Sequence, residues 1–275
     1  MHLHKLMLLV VSVMLATPLW AQGGPQRIVV ADGALTEILY ALGVEDRIVG
    51  VDTTSVYPAS AQALPNVGYL RALSAEGILS LQPDLLLTTQ DAGPTNVLNQ
   101  LQQAGLPIAL LEVEYSASGT LALIEQVGEL VGLPTESAAL MQRVHAQISS
   151  AAYQLPPETR IMFVLNAGGR GFMVSGQDTR AHALIELVGA RNAFTEFPGY
   201  KPLTNEAALM AAPDIILVSH AEGALDGVIR HPALALTPAV TKGQVYSVDH
   251  TDWLQFGPRL GDSIAGLSAL LQATP

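Results

Sequence analysis

Twice along the chain a short apolar helix pattern carrying a glutamate leads, seven residues later, into Pro-Asp and then an apolar strand. Glu76-Gly-Ile-Leu-Ser-Leu-Gln-Pro-Asp-Leu-Leu-Leu87 is matched by Glu206-Ala-Ala-Leu-Met-Ala-Ala-Pro-Asp-Ile-Ile-Leu217. A weaker pair, Thr36-Glu-Ile-Leu-Tyr-Ala-Leu-Gly43 and His182-Ala-Leu-Ile-Glu-Leu-Val-Gly189, recurs in the same order. One such match is ordinary helix–turn–strand grammar. Two, placed on opposite sides of a long helical stretch, point to two similar lobes. Clefts between lobes are a preferred place for ligands.

The rest of the pattern fills in those lobes. Arg27–Ala31 and Arg47–Asp52 read as strands, with a helix from Ala34 to Leu42 between them that Gly43 stops. Ser74 is an N-cap for a helix to Gln82, and Pro83-Asp84 breaks it before the strand Leu85–Thr89. A helix Asn96–Ala104 and a strand Pro107–Leu111 follow. Strands alternating with helices at this interval predict an α/β fold with mainly parallel sheets. From Ser118 to Tyr153 no strand intervenes over roughly 36 residues, far beyond the mean helix of about 11–12. The helical spacing runs through Leu121, Ile124, Val127, Leu130 and Val131, breaks at Gly132-Leu-Pro134, and resumes at Thr135. Beyond Pro156-Pro157 a second series opens with a strand at Arg160–Asn166, with others near Ile215–Ser219 and Gln244–Val248. The expected organisation is a leader over 1–21, a first lobe over 22–117, a single connecting helix over 118–153 and a second lobe over 154–275.

The leader follows from the apolar run Leu6–Trp20, about 15 residues after one lysine and shorter than the roughly 20 a spanning helix needs, closing at Ala21. It reads as a secretory signal peptide; a buried N-terminal helix and a retained anchor are the alternatives. Loss of Lys5 with it takes the net charge from −11 to −12. No later stretch has 18 uncharged apolar residues in a row, so the mature chain is expected to be soluble and exported. With 24 Asp+Glu against 13 Lys+Arg, it lacks the basic balance of a nucleic-acid binder. The absence of cysteine excludes disulfides, thiolate metal sites, Fe–S clusters and a cysteine nucleophile.

Ala31-Asp-Gly33 with Thr36-Glu37, Gly43-Val44, Ile48-Val-Gly-Val51 and Pro65-Asn-Val-Gly68 ahead of Leu73-Ser-Ala-Glu76, together with the export signal, resemble the helical-backbone substrate-binding proteins of ABC importers. That class includes cobalamin, siderophore, haem and some metal-ion binders. Val67-Gly-Tyr-Leu-Arg-Ala-Leu-Ser-Ala-Glu76 is similar to the haem-binding branch. The resemblance covers nearly the whole mature chain. It implies two α/β lobes bridged by one rigid helix, modest closure on binding, a periplasmic location, and a monomer that serves an inner-membrane ABC permease dimer with its ATPase. An outer-membrane haem receptor system would stand upstream. It also implies ferric haem as transported ligand with no catalytic cofactor, Tyr69 as axial ligand to the haem iron and Arg71 as its partner. Glu76 and Glu206, one on each lobe, would dock on permease arginines; a favourable first-turn position beside a helix N-terminus accounts for them equally.

The chemistry at Tyr69 suits that role. Ferric haem is a hard Lewis acid and a phenolate a hard oxygen donor. The phenol, with an ordinary pKa of about 10, must lose its proton to bind. Iron supplies most of that drive, and a nearby guanidinium helps. In an extended segment residues i and i+2 point to the same side, so the spacing permits Arg71 to reach Tyr69. From spacing alone, a half-buried loop tyrosine and a solvated arginine account for the pair as well. On the second lobe the candidates for haem contacts are Arg170, Phe172 and Met173 in Asn166-Ala-Gly-Gly-Arg-Gly-Phe-Met173, with Arg180 and Arg230 as partners for the propionates. For each of these a surface or turn role competes. No second axial histidine can be matched, so five-coordinate haem, one per cleft, is the expectation.

Five histidines remain after the leader: His145, His182, His220, His231 and His250. None forms a His-x-His or His-x3-His pair; a zinc or manganese site would need three of them to converge in space. An exported hydrolase finds little support, because no Gly-x-Ser-x-Gly elbow, Walker A loop or dinucleotide fingerprint occurs and the Glu112/Glu114 pair is weak evidence. A ferric-siderophore or cobalamin binder of the same fold is the nearer alternative. Aromatics at only 5% mildly favour a ligand held by one metal–oxygen bond and aliphatic contacts.

Overall fold

A computed structural model describes residues 23–151, 155–156, 158–166, 171–219, 223–249 and 253–272. The leader, Arg170, His220 and His250 lie outside the described residues.

The first lobe is built on β1 (Ile28–Ala31), β2 (Ile48–Val51), β3 (Leu85–Thr89) and β4 (Ile108–Leu111), a wholly parallel sheet in the order β2-β1-β3-β4. β1 and β3 are buried along their whole length, which is why they read as unbroken apolar runs rather than alternating ones. Helices α1 (Gly33–Ala41), α2 (Ala75–Ser80) and α3 (Thr95–Gln103) cross between the strands. Ser74 caps α2, its hydroxyl accepting from Gly77 N at 3.3 Å. Each boundary falls within a few residues of the sequence expectation.

The stretch expected as one connecting helix is two. α4 (Ala117–Leu130) and α5 (Pro134–Ala151) are separated where Gly132 takes φ +78°, a left-handed conformation that glycine adopts without steric penalty. They pack against each other: a Cβ on Gly128 would collide with the Ser137 side chain. Of the two, α5 crosses between the lobes. Its Leu140 and Val144 lie in the first-lobe core, Ala151 packs on the second-lobe core, and Ile148 touches both.

The second lobe holds β5 (Arg160–Asn166), β6 (Phe172–Ser175), β7 (Arg191–Asn192), β8 (Tyr200–Pro202), β9 (Ile215–Ser219) and β10 (Val245–Val248). The path β10-β9-β5-β6-β8 is parallel from β10 to β5, antiparallel from β5 to β8, and β7 pairs with β5. Helices α6 (Arg180–Leu187), α7 (Asn205–Ala211), α8 (Ala224–Ile229), α9 (Pro238–Thr241) and α10 (Leu260–Gln272) complete it. α10 lies close on α5, since a Cβ on Gly261 would come within 2.7 Å of Gln147 Cβ.

The repeated Pro-Asp does the same task in both lobes. Asp84 accepts from Gln26 N and Arg27 N at 2.8 and 2.9 Å, and its own N–H donates to Arg27 O at 2.9 Å. Asp214 accepts from Arg160 N at 2.9 Å and donates to Arg160 O at 2.9 Å. Each aspartate therefore clamps the strand it precedes, β3 or β9, to the start of the neighbouring strand, β1 or β5, so the two repeats occupy equivalent places. The weaker repeat likewise places α1 and α6 alike, each closed by a glycine at positive φ, Gly43 and Gly189.

Candidate functional site

A cleft of about 640 Å³ opens between the lobes. Its first-lobe wall is made at the carboxyl ends of the parallel strands: Asp32 follows β1, Thr53 and Thr54 follow β2, Asp91 follows β3, and Tyr115 follows β4. That edge is where open α/β sheets hold ligands, because the crossover loops diverge there. The second-lobe wall is Phe163 and Leu165 of β5, Asp178, Thr179 and Arg180 after β6, Tyr200 of β8, and Leu254 with Gln255.

Tyr69 also lines the cleft and is 42% exposed. Its turn is set by Gly68 at φ +96°, where a side chain would be strained. Asn66 Oδ1 accepts from Gly68 N at 2.8 Å, and Thr53 N donates to Gly68 O at 2.9 Å, so the turn is tied to the end of β2. Arg71 shares the cleft but points its guanidinium at another partner: Nη2 donates to Asp91 Oδ2 at 2.9 Å. Burial works against the Arg71 cation, but the Asp91 hydrogen bond and charge outweigh it and hold the group above its ordinary value; a charged Tyr69 would act in the same sense. Tyr115 donates from its hydroxyl to the same Asp91 oxygen at 3.2 Å.

Arg180 is the second-lobe cation of the site. Its Nη2 donates to Asp32 Oδ2 at 2.8 Å across the lobe boundary, its Nη1 reaches Gln255 Oε1 at 3.1 Å, and its guanidinium lies 5.3 Å from the Tyr115 ring centre. Asp32 is 2% exposed, and its other oxygen caps α1 by accepting from Ala34 N at 2.8 Å. Burial disfavours the Arg180 charge, but Asp32 and Tyr115 more than compensate and raise its pKa. A second buried pair joins the lobes: Arg259 donates to both oxygens of Glu37, at 2.7 and 3.1 Å, with its guanidinium 3.9 Å from the Tyr57 ring centre. The two remaining cleft phenols are resistant to ionisation. Burial pushes Tyr115 up, against the pull of Arg180, and pushes Tyr200 up to about 12.

The structure thus gathers Tyr69, Arg71 and Arg180 in one cleft and leaves other sequence candidates outside it. Arg230 is exposed and sits 3.8 Å from Asp226 on its own helix. Phe172 packs against the core around β6 and α8 and meets the His231 ring edge at 6.0 Å. Met173, one residue on, takes the opposite face: it stands directly across from Leu165, beside the cleft wall without itself lining it. Glu76 and Glu206 are exposed in the first turns of α2 and α7, behind the equivalent caps Ser74 and Thr204. His145 is exposed on α5, and His182 pairs with Glu186 at 3.4 Å. Among the described residues no group of three or more His, Asp or Glu could hold a metal ion, and no helix is long and apolar enough to cross a membrane. Asp91, Tyr115 and Tyr200 were not found by the sequence reading. The position of Asp91 and Tyr115 just past β3 and β4 is the signal that could have located them.

The sequence model described as "Periplasmic binding protein" matches residues 28–251. Among solved structures, the periplasmic haem-binding protein BhuT in complex with two haems is 38% identical, with a TM-score of 0.82 over 89% of this chain and 97% of that one. Among curated proteins, the uncharacterised ABC transporter substrate-binding lipoprotein YvrC of Bacillus subtilis is 26% identical over 89% of this chain and 79% of its own length. The vitamin B12-binding protein of Vibrio campbellii is 25% identical over 86% of this chain and 85% of its own.

Proposed function

Since this chain belongs to the periplasmic binding protein family, we propose that it captures ferric haem in the interlobe cleft through Tyr69 and hands it to an ABC importer. Family and relatives alike are substrate-binding proteins of ABC transporters, not enzymes, so the activity to account for is capture and delivery. The observation that carries the haem reading is Tyr69 itself: an accessible phenol in a cleft that also presents Leu70, Phe163, Leu165 and Leu254, with an arginine two residues away. BhuT, the haem-bound structure above, shares the fold and 38% of the sequence, which supports the same cargo.

The chain's own residues divide the work. Tyr69 gives up its proton and presents an anionic oxygen to the iron, and Arg71 stabilises that charge from beside it. Leu70, Phe163, Leu165 and Leu254 exclude water from the ring faces. Arg180, on the opposite wall, offers a cation toward a propionate while Asp32 keeps it in place. With Tyr69 as the one ligand, the reading is five-coordinate iron and one haem per cleft. Glu76 and Glu206, carried at equivalent positions of the two lobes, suit the two-fold permease dimer; such pairs steer encounter and fix orientation more than they add affinity. The exported chain would act in the periplasm as a monomer, downstream of an outer-membrane haem receptor.

Titration of the purified chain with haemin tests this. A 1:1 endpoint with a high-spin charge-transfer band in the visible spectrum is expected, lost in Tyr69→Phe. An unchanged spectrum and affinity in that variant would remove Tyr69 as ligand. The corrinoid reading has the Vibrio campbellii relative behind it; tight binding of cyanocobalamin with no haemin uptake would favour it instead.

A further inference from the structure

The loop after β3 is tied to both of its neighbours at the cleft. On one side Gly93 N donates to Leu70 O, and Leu73 N donates to Gly93 O, both at 2.9 Å, so the turn carrying Tyr69 and Arg71 is bracketed by backbone bonds. On the other side the Gln90 side chain accepts from Val113 N at 2.8 Å and donates to Val113 O at 3.2 Å, which pins the segment leading to Tyr115. Asp91 sits at the tip between these ties, and one of its oxygens receives both the Arg71 guanidinium and the Tyr115 hydroxyl. Tyr115 in turn lies against Arg180 of the other lobe. A carboxylate held at the centre of such a chain decides where the groups on either side of it point.

We propose that Asp91 is the positioning residue of the ligand cleft: its carboxylate aims Arg71 along the rim beside Tyr69 and sets Tyr115 against Arg180, so that the iron-binding phenol and the cation of the opposite wall are held in one register. This rests on the haem reading above. The influence of Asp91 on the iron ligand runs through Arg71, and its hold on Tyr115 is the lesser part. Its negative charge also moderates the guanidinium, leaving Arg71 less free to draw electron density from a Tyr69 phenolate.

The test measures haem loss from the loaded full chain to an excess of a tight haem-binding globin, with the visible spectrum alongside. Arg71→Ala is expected to speed loss ~10-fold, and Asp91→Ala likewise, each the equivalent of about 1.4 kcal/mol. The double variant should lose haem no faster than Arg71→Ala alone, because residues acting through one contact are not additive. Rates that multiply to ~100-fold, or an Asp91→Ala rate equal to wild type, overturn the proposal. Asp91→Asn keeps an acceptor for Arg71 without the charge. It should stay within about threefold of wild type in rate, while its charge-transfer band moves to longer wavelength, because a phenolate held more strongly by Arg71 donates less to the iron. Should Asp91→Ala fail to fold, an unmoved band in Asp91→Asn overturns the proposal by itself. If instead Tyr69→Phe binds haemin as wild type does, the ligand assignment fails and this proposal falls with it.

Discussion

The two lobes share a scaffold and differ at the cleft. In both, a capped helix, a Pro-Asp clamp and a buried strand recur in equivalent places. The first lobe keeps its sheet wholly parallel, so every crossover loop ends on one edge, and that edge supplies Asp32, Thr54, Asp91 and Tyr115. The second lobe reverses one strand, β6, and its edge strand β8, paired to β6, brings Tyr200 to the opposite wall. The tyrosines show the consequence. Tyr69 stands on a glycine-built turn near a guanidinium, whereas Tyr200 stands on an edge strand, and the two are similarly exposed, at 42% and 37%. A repeated scaffold thus leaves the differences between the two cleft walls to the loops and the edge strand.

The largest expected effect sets those phenols against each other. Tyr69→Phe should weaken haemin binding by ~100-fold or more, about 2.7 kcal/mol, while Tyr200→Phe stays within about threefold. Comparable losses in titrations of the two variants would break the asymmetry. Next comes the tie between the lobes. Asp32→Ala strands the Arg180 cation and removes the α1 cap, so a loss of about 3–5 kcal/mol in denaturant unfolding is expected, with Glu37→Ala in the same range. Gly261→Ala, where a Cβ would meet Gln147, should lose about 1–3 kcal/mol by forcing α10 from α5; no loss would mean that α10 and α5 separate freely.

A smaller effect is alkaline. Tyr200 and Tyr115 hold their protons longer in the folded chain than in the unfolded one. The unfolded chain therefore gains from ionisation first, and stability should fall as the pH rises from about 10 toward 12. Tyr200→Phe should flatten part of that fall in thermal melts; Tyr69→Phe serves as the comparison. Smallest of all is Arg230→Ala, expected within about ±0.5 kcal/mol in stability and without effect on haemin binding. In reconstituted vesicles, Glu76→Ala with Glu206→Ala should abolish transport and spare binding; normal transport would dissociate the repeated glutamates from docking.

Local pattern carried most of the elements. Apolar runs, the Ser74 cap, the Gly43 stop and the Pro-Asp clamps place strands and helices within a few residues, because each depends on neighbours along the chain. The break at Gly132-Leu-Pro134 was legible too, but not that α4 folds back on α5, which depends on Gly128 meeting Ser137. Tyr69 and Arg71 both line the cleft, yet spacing could not show that the partner of Arg71 in this structure is Asp91, twenty residues on. On β6 one position of parity separates Phe172, turned into the core, from Met173, across from Leu165 beside the cleft; the antiparallel register with β5 decides between them.

What the sequence determined by itself is the α/β alternation, the doubling of the scaffold and the short list of chemically competent side chains, all properties of spacing along the chain. Tertiary structure alone decided which of them meet. Asp32 finds Arg180 from 148 residues away and Glu37 finds Arg259 from 222. Such pairs form because the buried cores of both lobes close around α5 and bring strand ends together, and no periodicity encodes that.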